Sequence, residues 1–198
     1  MGQIRISDNA PEPVIRFARP DDAAAIRAVQ AETWIATYPN EELGITRDGL
    51  RQHLEGAHGE KIAAGVARIR KHIESEASGS AGFQHFVAVF DGEIVGYTSP
   101  FVEPDGRRRL GALYVLPSAQ GLGIGHLLLE RNLAWHGADQ AVYLNVAAYN
   151  EQAKRFYERH GFVLTGEQGH DELAMIGAVV IPELEMVRRA RQRPGTSV

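Results

Sequence analysis

The sequence predicts a single α/β domain in which a mixed central sheet is flanked by helices. Three observations carry this. Phe83–Phe90 and Glu93–Phe101 are apolar, β-rich runs joined by Asp91-Gly92, a dipeptide that tolerates positive φ in a two-residue type I′ hairpin. Leu110–Leu116 is a buried-strand run that stops at Pro117, and it is followed by the glycine-rich stretch Gln120–Gly125, a helical pattern and a short apolar strand at Ala141–Val146. The first third of the chain shows helical spacing instead: an alanine-rich run through Trp34 and Ile35, then Leu50 and Leu54, then Ile62, Val66, Ile69 and Ile73.

The remaining elements follow in order. Residues 1–13 are polar, carry Pro11 and Pro13, and read as a loose leader before a short strand at Val14–Ala18. Pro20-Asp21-Asp22 offers a helix start with acidic groups at the positive end of the dipole. Leu50 to Ile73 predicts one broken or two short helices, closed by a connector at Gly79-Ser80-Ala81-Gly82. Tyr149–His160 predicts another helix stopped by Gly161, with strands at Phe162–Thr165 and Val179–Met186. The domain therefore spans 14–188, and residues 189–198 form a basic tail.

Composition narrows the function classes. At 198 residues, 44% hydrophobic and 23% charged, the chain is of ordinary globular make-up and fits one core. A net charge of −4 gives no footprint for nucleic acid, and the arginines at 188, 189, 191 and 193 read as solvated tail. With no cysteine there is no disulfide framework, thiolate metal site or cysteine nucleophile. No signal pattern and no apolar run of about 20 residues occurs, so the expected location is the cytoplasm, without a membrane partner. The eight histidines show no HExxH or comparable spacing, and no metal is expected.

Gln120-Gly121-Leu122-Gly123-Ile124-Gly125 lies between a strand and a helix. There, successive backbone N–H groups and the positive helix end can bind an anion, and glycines let it approach. The same glycines equally suit a tight turn with close packing. Two nucleotide motifs fail on spacing: GxGxxG needs glycine where His126 stands, and a Walker A loop needs Gly-Lys-Ser/Thr. On the helix after Asn145-Val146, Asn150, Ala153 or Lys154, and Tyr157 share one face. By themselves Asn150 reads equally as a helix cap and Tyr157 as a packed aromatic.

With Gln120, Gly123 and Gly125 meeting the pattern Q/R-x-x-G-x-G/A, and with the blocks LYVLPSAQGLGIG and LNVAAYNEQAKRFYERHGF around it, the chain resembles the GNAT superfamily of acetyl-CoA-dependent N-acetyltransferases from about Val14 to Met186. The resemblance implies a mostly antiparallel central sheet with a splayed strand pair. It implies that the amides of Gln120, Gly121, Leu122, Gly123, Ile124 and Gly125 hold the CoA pyrophosphate. It further implies that the backbone of Leu113, Tyr114 and Val115 pairs with the pantetheine arm and offers an N–H to the thioester carbonyl. Asn150 would hydrogen-bond that arm, Ala153 would allow close approach, and the Tyr157 hydroxyl would reach the departing sulfur. A tyrosine of pKa ~10 protonates a thiolate of ~8.5 uphill by roughly 2 kcal/mol, so Tyr157 is expected to share its proton as sulfur charge develops.

The implied reaction is direct acetyl transfer from acetyl-CoA to a primary amine through a tetrahedral intermediate, with a small-molecule or peptide acceptor. A homodimer is compatible with the family. Glu32, Glu41, Glu42 and Glu103 are candidate bases, each also readable as a solvated carboxylate. Trp34 and Tyr38 are candidates for an aromatic acceptor wall, and Trp34 also reads as core. A non-catalytic acyl-CoA sensor is the alternative, and an ATP- or dinucleotide-binding protein is disfavoured by the failed motifs.

Overall fold

The computed structural model describes residues 12–56, 58–76, 82–169, 175–176 and 179–190. Most of the leader and of the basic tail, and the connector residues 79–81, lie outside these. The element order is β1 (Val14–Phe17), α1 (Ala23–Thr37), α2 (Arg47–Glu55), α3 (Glu60–Glu76), β2 (Phe86–Phe90), β3 (Glu93–Val102), β4 (Arg108–Val115), α4 (Ile124–His136), β5 (Val142–Ala147), α5 (Glu151–Arg159), β6 (Val163–Gly169), β7 (Met175–Ile176), β8 (Val179–Val180) and β9 (Glu183–Arg188).

A seven-stranded sheet runs in the order β1-β2-β3-β4-β5-β9-β6, and β7 pairs with β8 beside it. Its ladders are antiparallel except for β4 with β5, which run parallel. That one parallel step is what the strand–helix–strand unit of the sequence requires, because parallel neighbours need a crossover helix. The β2–β3 hairpin turns on Asp91 at φ 52° and Gly92 at φ 80°, both in the left-handed region that a type I′ turn demands.

Each helix buries the stripe its sequence spacing dictates. α1 buries Ala23, Ile26, Val29 and Trp34, and with α3 it covers one sheet face in a cluster that includes Ile69, Ile73, Val87 and Tyr97. α2 starts at Thr46, whose hydroxyl accepts the Gly49 N–H at 3.0 Å, and its Leu50 and Leu54 pack on Trp34 and Ala147. The opposite face is covered by α4 and α5, where Leu129 and Tyr157 pack on Leu110, Leu144, Phe162 and Met186.

Two irregularities on β4 shape the sheet where the cleft forms. Pro100 pairs with Leu110 and Ser99 with Ala112, so Gly111 is an extra residue, a bulge that shifts the alternation of β4. Leu110 and Leu113 therefore share the α4 face although they are three residues apart, while Ala112 and Tyr114 face α1. A Cβ at Gly111 would stand 2.7 Å from Phe101 Cε1 and 2.9 Å from the Ser99 carbonyl oxygen, so the bulge needs glycine. The second irregularity lies between β4 and β5, which pair only at Arg108↔Val142 and Arg109↔Tyr143 and then part. This is the splayed pair.

Sequence and structure differ in detail at the C-terminal side. The strand expected over Val179–Met186 is divided into β8 and β9 at Ile181-Pro182, where proline has no N–H to give a ladder. Pro20-Asp21-Asp22 forms a single 3-10 turn before α1, and the Asp22 carboxylate takes the Arg19 N–H at 2.6 Å and pairs with Arg16.

Candidate active site

Where β4 and β5 part, a cleft of about 580 Å³ opens. Its walls are Leu110–Val115 of β4 and Asn145–Ala147 of β5. The glycine loop with Gln120, Gly121, Gly123 and Gly125 closes one end. Ala153, Phe156 and Tyr157 of α5 with its N-cap Asn150 form one flank, and Thr33 and Thr37 of α1 with its C-cap Tyr38 form the other. Pairing with β5 ends at Arg109, so the edge of β4 along Leu113–Val115 faces the cleft without a neighbouring strand.

The loop is built by backbone conformation. Pro117–Ala119 make a 3-10 turn, Gly121 has φ 83° and Gly123 has φ 77°, and Gly123 stands at the N-cap of α4 with no side chain to cap the first turn. A Cβ at Gly121 or Gly123 would meet nothing within 4 Å, so these two glycines serve the left-handed conformation rather than close packing. The Gln120 side chain donates to the Val115 carbonyl at 3.2 Å and ties the loop to the end of β4. Leu122 is half exposed and Ile124 is buried in the core, so neither side chain lines the cleft, and any contribution they make there is through the backbone.

Beyond the loop the cleft carries cationic and imidazole groups. His126 and His160 stand with Nδ1 and Nε2 2.9 Å apart, and His160 Nδ1 donates to the Phe156 carbonyl at 2.8 Å. His126 Nε2 lies 3.3 Å from the Glu130 carboxylate, and Arg159 adds a guanidinium to the same lining. His160 falls one turn beyond Tyr157 in the Asn150–Ala153–Tyr157 series, so the spacing that pointed to those residues extends to it. His126 is the residue that breaks the dinucleotide motif.

Asn150 is the N-cap of α5, its side-chain oxygen accepting the Ala153 N–H at 3.0 Å, and it also lines the cleft. Tyr157 is 8% exposed, packed edge-on against Phe162, and its hydroxyl pKa is raised by burial and by Tyr114. Tyr38 and Tyr114 hold their hydroxyls 3.5 Å apart, and burial pushes Tyr38 well above the usual phenol range. Tyr149 donates to the Tyr38 carbonyl at 2.9 Å and fixes the end of α1.

The carboxylates named from sequence sit elsewhere. Glu32 borders a second depression between α1, α2 and α3, and Glu41 and Glu42 are exposed in the turn between Asn40 and Ile45. Glu103 pairs with Arg109 at 3.0 Å, and Arg109 in turn reaches Glu185 at 2.9 Å and Asn145 at 3.2 Å. Trp34 is 6% exposed in the core with Ile45, Leu50 and Leu54 and does not line the cleft, whereas Tyr38 does. Among the described residues no carboxylate lines the cleft, and no group of three or more His, Asp or Glu side chains could hold a metal ion.

The model of the acetyltransferase (GNAT) family matches residues 48–162, more than half of the chain, from within α2 through α5. The chain belongs to the GNAT family. It is 37% identical over 107 residues to the 5-NmdU N-acetyltransferase of Pseudomonas phage PaMx11, covering 52% of this chain and 74% of that protein. It is 38% identical over 79 residues to the uncharacterized N-acetyltransferase Rv2669 of Mycobacterium tuberculosis, covering 38% of this chain and 50% of that protein. The chain thus spans about half of the mycobacterial relative it matches. Among solved structures, yncA from Salmonella typhimurium with its cofactor acetyl-CoA shares the fold at a TM-score of 0.61 and 19% identity, over 94% of this chain and 99% of that one. This GNAT domain is an acyltransferase, and its splayed β4–β5 pair with the glycine loop is the part of the fold where its cleft lies. No helix among the described residues is long and apolar enough to cross a membrane.

Proposed function

We propose that the chain moves the acetyl group of acetyl-CoA to a primary amine by direct attack of the amine on the thioester. The observation that carries this reading is the continuity of one cleft, from the uncapped first turn of α4 along the open edge of β4 to the Tyr157 hydroxyl and out to α1. When bound, acetyl-CoA supplies the activated acyl group and a pyrophosphate.

Each part of the cleft suits one part of that molecule. Amides of the Gln120–Gly125 loop, exposed by positive φ at Gly121 and Gly123, suit the pyrophosphate, and His126, His160 and Arg159 add donors at that end. The edge of β4 at Leu113–Val115 suits the peptide-like groups of pantetheine as an added strand would. Asn150 spends its oxygen on the α5 cap and has its NH2 group for a ligand carbonyl, while Ala153 keeps that flank open.

Tyr157 acts as a hydrogen-bond donor to the departing sulfur. Its raised pKa keeps the phenol protonated through neutral pH and makes complete transfer to a thiolate costlier than between unperturbed groups, so partial proton sharing is the role it fills. Thr33, Thr37, Tyr38 and Asn145 border the side open to the acceptor. The non-catalytic sensor reading is not favoured, because a phenol in this cleft serves a leaving group that a sensor does not have.

The test is Tyr157→Phe in the purified protein with acetyl-CoA and an accepted amine. Turnover is expected to fall on the order of 100-fold while the acetyl-CoA KM changes little. Equal turnover in the variant would remove Tyr157 from the chemistry.

A further inference from the structure

The apolar face of α4 carries two buried polar residues that the proposed chemistry does not use. Asn132 is 0% exposed and His136 is 3% exposed. Asn132 Nδ2 donates to Thr98 Oγ1 at 2.8 Å, and that hydroxyl, also 0% exposed, spends its own proton on the Ala112 carbonyl at 2.7 Å. His136 Nε2 lies 3.1 Å from the Arg109 carbonyl, which can only accept, so the imidazole carries its proton on Nε2. The two chains end on carbonyls that flank Gly111, the extra residue of the β4 bulge, in the strand that walls the cleft.

This arrangement is costly for stability alone. Asn132 Oδ1 and His136 Nδ1 are buried without a partner among the described residues, and a half-satisfied buried polar group is worse than an apolar one of the same shape. A bulge interrupts the ladder of its strand, so the carbonyls beside it need other donors to hold their direction, and the N–H groups of Leu110 and Leu113 turn with the peptide planes of the Arg109 and Ala112 carbonyls.

We propose that Asn132, acting through Thr98, and His136 are positioning residues that clamp the Gly111 bulge and so aim the β4 amides along the donor's thioester and pantetheine. The clamp rests on the acetyl-transfer reading for its purpose, but its geometry is a property of the free protein. It holds the strand from the side opposite the acceptor, so it governs how the donor is oriented rather than which amine is chosen.

Thr98→Val removes the relay without changing shape, and Thr98→Ser restores it. His136→Phe removes the donor, and His136→Gln supplies an amide N–H near the Nε2 position. Leu129→Ala, a core truncation on the same helix outside the cleft, serves as the control for loss of stability. Two readouts apply to all: kcat and KM for acetyl-CoA with one amine, and amide hydrogen exchange at residues 110–113 of the free protein. Thr98→Val and His136→Phe are expected to lower kcat roughly tenfold with an acetyl-CoA KM within about twofold of the parent. They are also expected to speed exchange at 110–113 more than Leu129→Ala does, and the conservative variants should recover most of both. Unchanged exchange and kcat in Thr98→Val, or losses no larger than those of Leu129→Ala, would overturn the clamp. Faster exchange in Thr98→Val and His136→Phe, with a parent protein that acetylates no amine, would uphold the clamp and overturn the acetyl-transfer reading, so the two failures are distinguishable.

Discussion

At the residue scale, single side chains here are set by burial more than by charge. His136 is held neutral, with its pKa lowered to about 4, first by loss of water and then by Arg108, against the opposing hydrogen bond to the Arg109 carbonyl. A histidine whose folded pKa lies below its unfolded value of ~6.5 contributes stability fully above that pH. The contribution fades as pH falls toward 4, because the unfolded chain then binds a proton that the folded one refuses. A shift of this size corresponds to up to about 3 kcal/mol. His136→Gln should therefore flatten the decline of denaturant stability between pH 6.5 and 4 relative to the parent, and an unaltered pH profile would refute the assignment. Tyr157 follows the same physics with opposite chemistry: burial favours the neutral phenol, which is the form that donates. Its place on the face with Asn150 was readable from spacing, but the rise in its pKa was not, because burial against Phe162 is a tertiary fact.

At the element scale, the glycine loop and the β4 bulge make separate demands on backbone. Gly123 at φ 77° is the N-cap of α4, and Gly123→Ala should cost about 1–2 kcal/mol while weakening acetyl-CoA binding, measured as a smaller ligand-induced rise in Tm. Gly111→Ala drives a Cβ into Phe101 and the Ser99 carbonyl, and should lower Tm by several degrees even without ligand. A normal Tm for Gly111→Ala would mean that the bulge relaxes without cost. The hairpin at Asp91-Gly92 and the strand–loop–helix–strand unit were legible because local φ requirements and hydrophobic period encode them. The bulge was not legible: Gly111 in LeuGlyAlaLeu reads as an ordinary strand residue, and only pairing with Ser99 and Pro100 reveals it. β7 has no counterpart in the sequence reading, since a two-residue strand carries no period.

At the scale of the whole molecule, the glycine-loop end of the cleft is far more legible in the sequence than the side that α1 borders. The proposed donor contacts are backbone amides placed by glycines, and glycine spacing survives in sequence. The proposed acceptor side is assembled from Thr33 and Thr37 of α1, Tyr38 at its C-cap and Asn145 of β5, more than 100 residues apart in the chain, and nothing in their local sequence marks them. Of the acidic and aromatic acceptor candidates, only Tyr38 lines the cleft; Glu32, Glu41, Glu42 and Trp34 lie away from it and Glu103 is held by Arg109. With no carboxylate among the described lining residues, the rate should follow the free-amine fraction. For an amine of pKa ~10.4, log(kcat/KM) is expected to rise with unit slope from pH 7 toward 9. A plateau beginning near pH 6 would instead indicate a carboxylate or histidine base.

On the proposed reading, one cleft binds acetyl-CoA and passes its acetyl group to an amine. The most direct measurement is release of free CoA thiol from acetyl-CoA across a panel of primary amines, with the product mass determined. Acetyl transfer requires thiol release that depends on the amine, a product heavier by one acetyl group, and a fall in both rates on the order of 100-fold in Tyr157→Phe. Thiol release that is absent with every amine, or that proceeds without acetylated product, would contradict it.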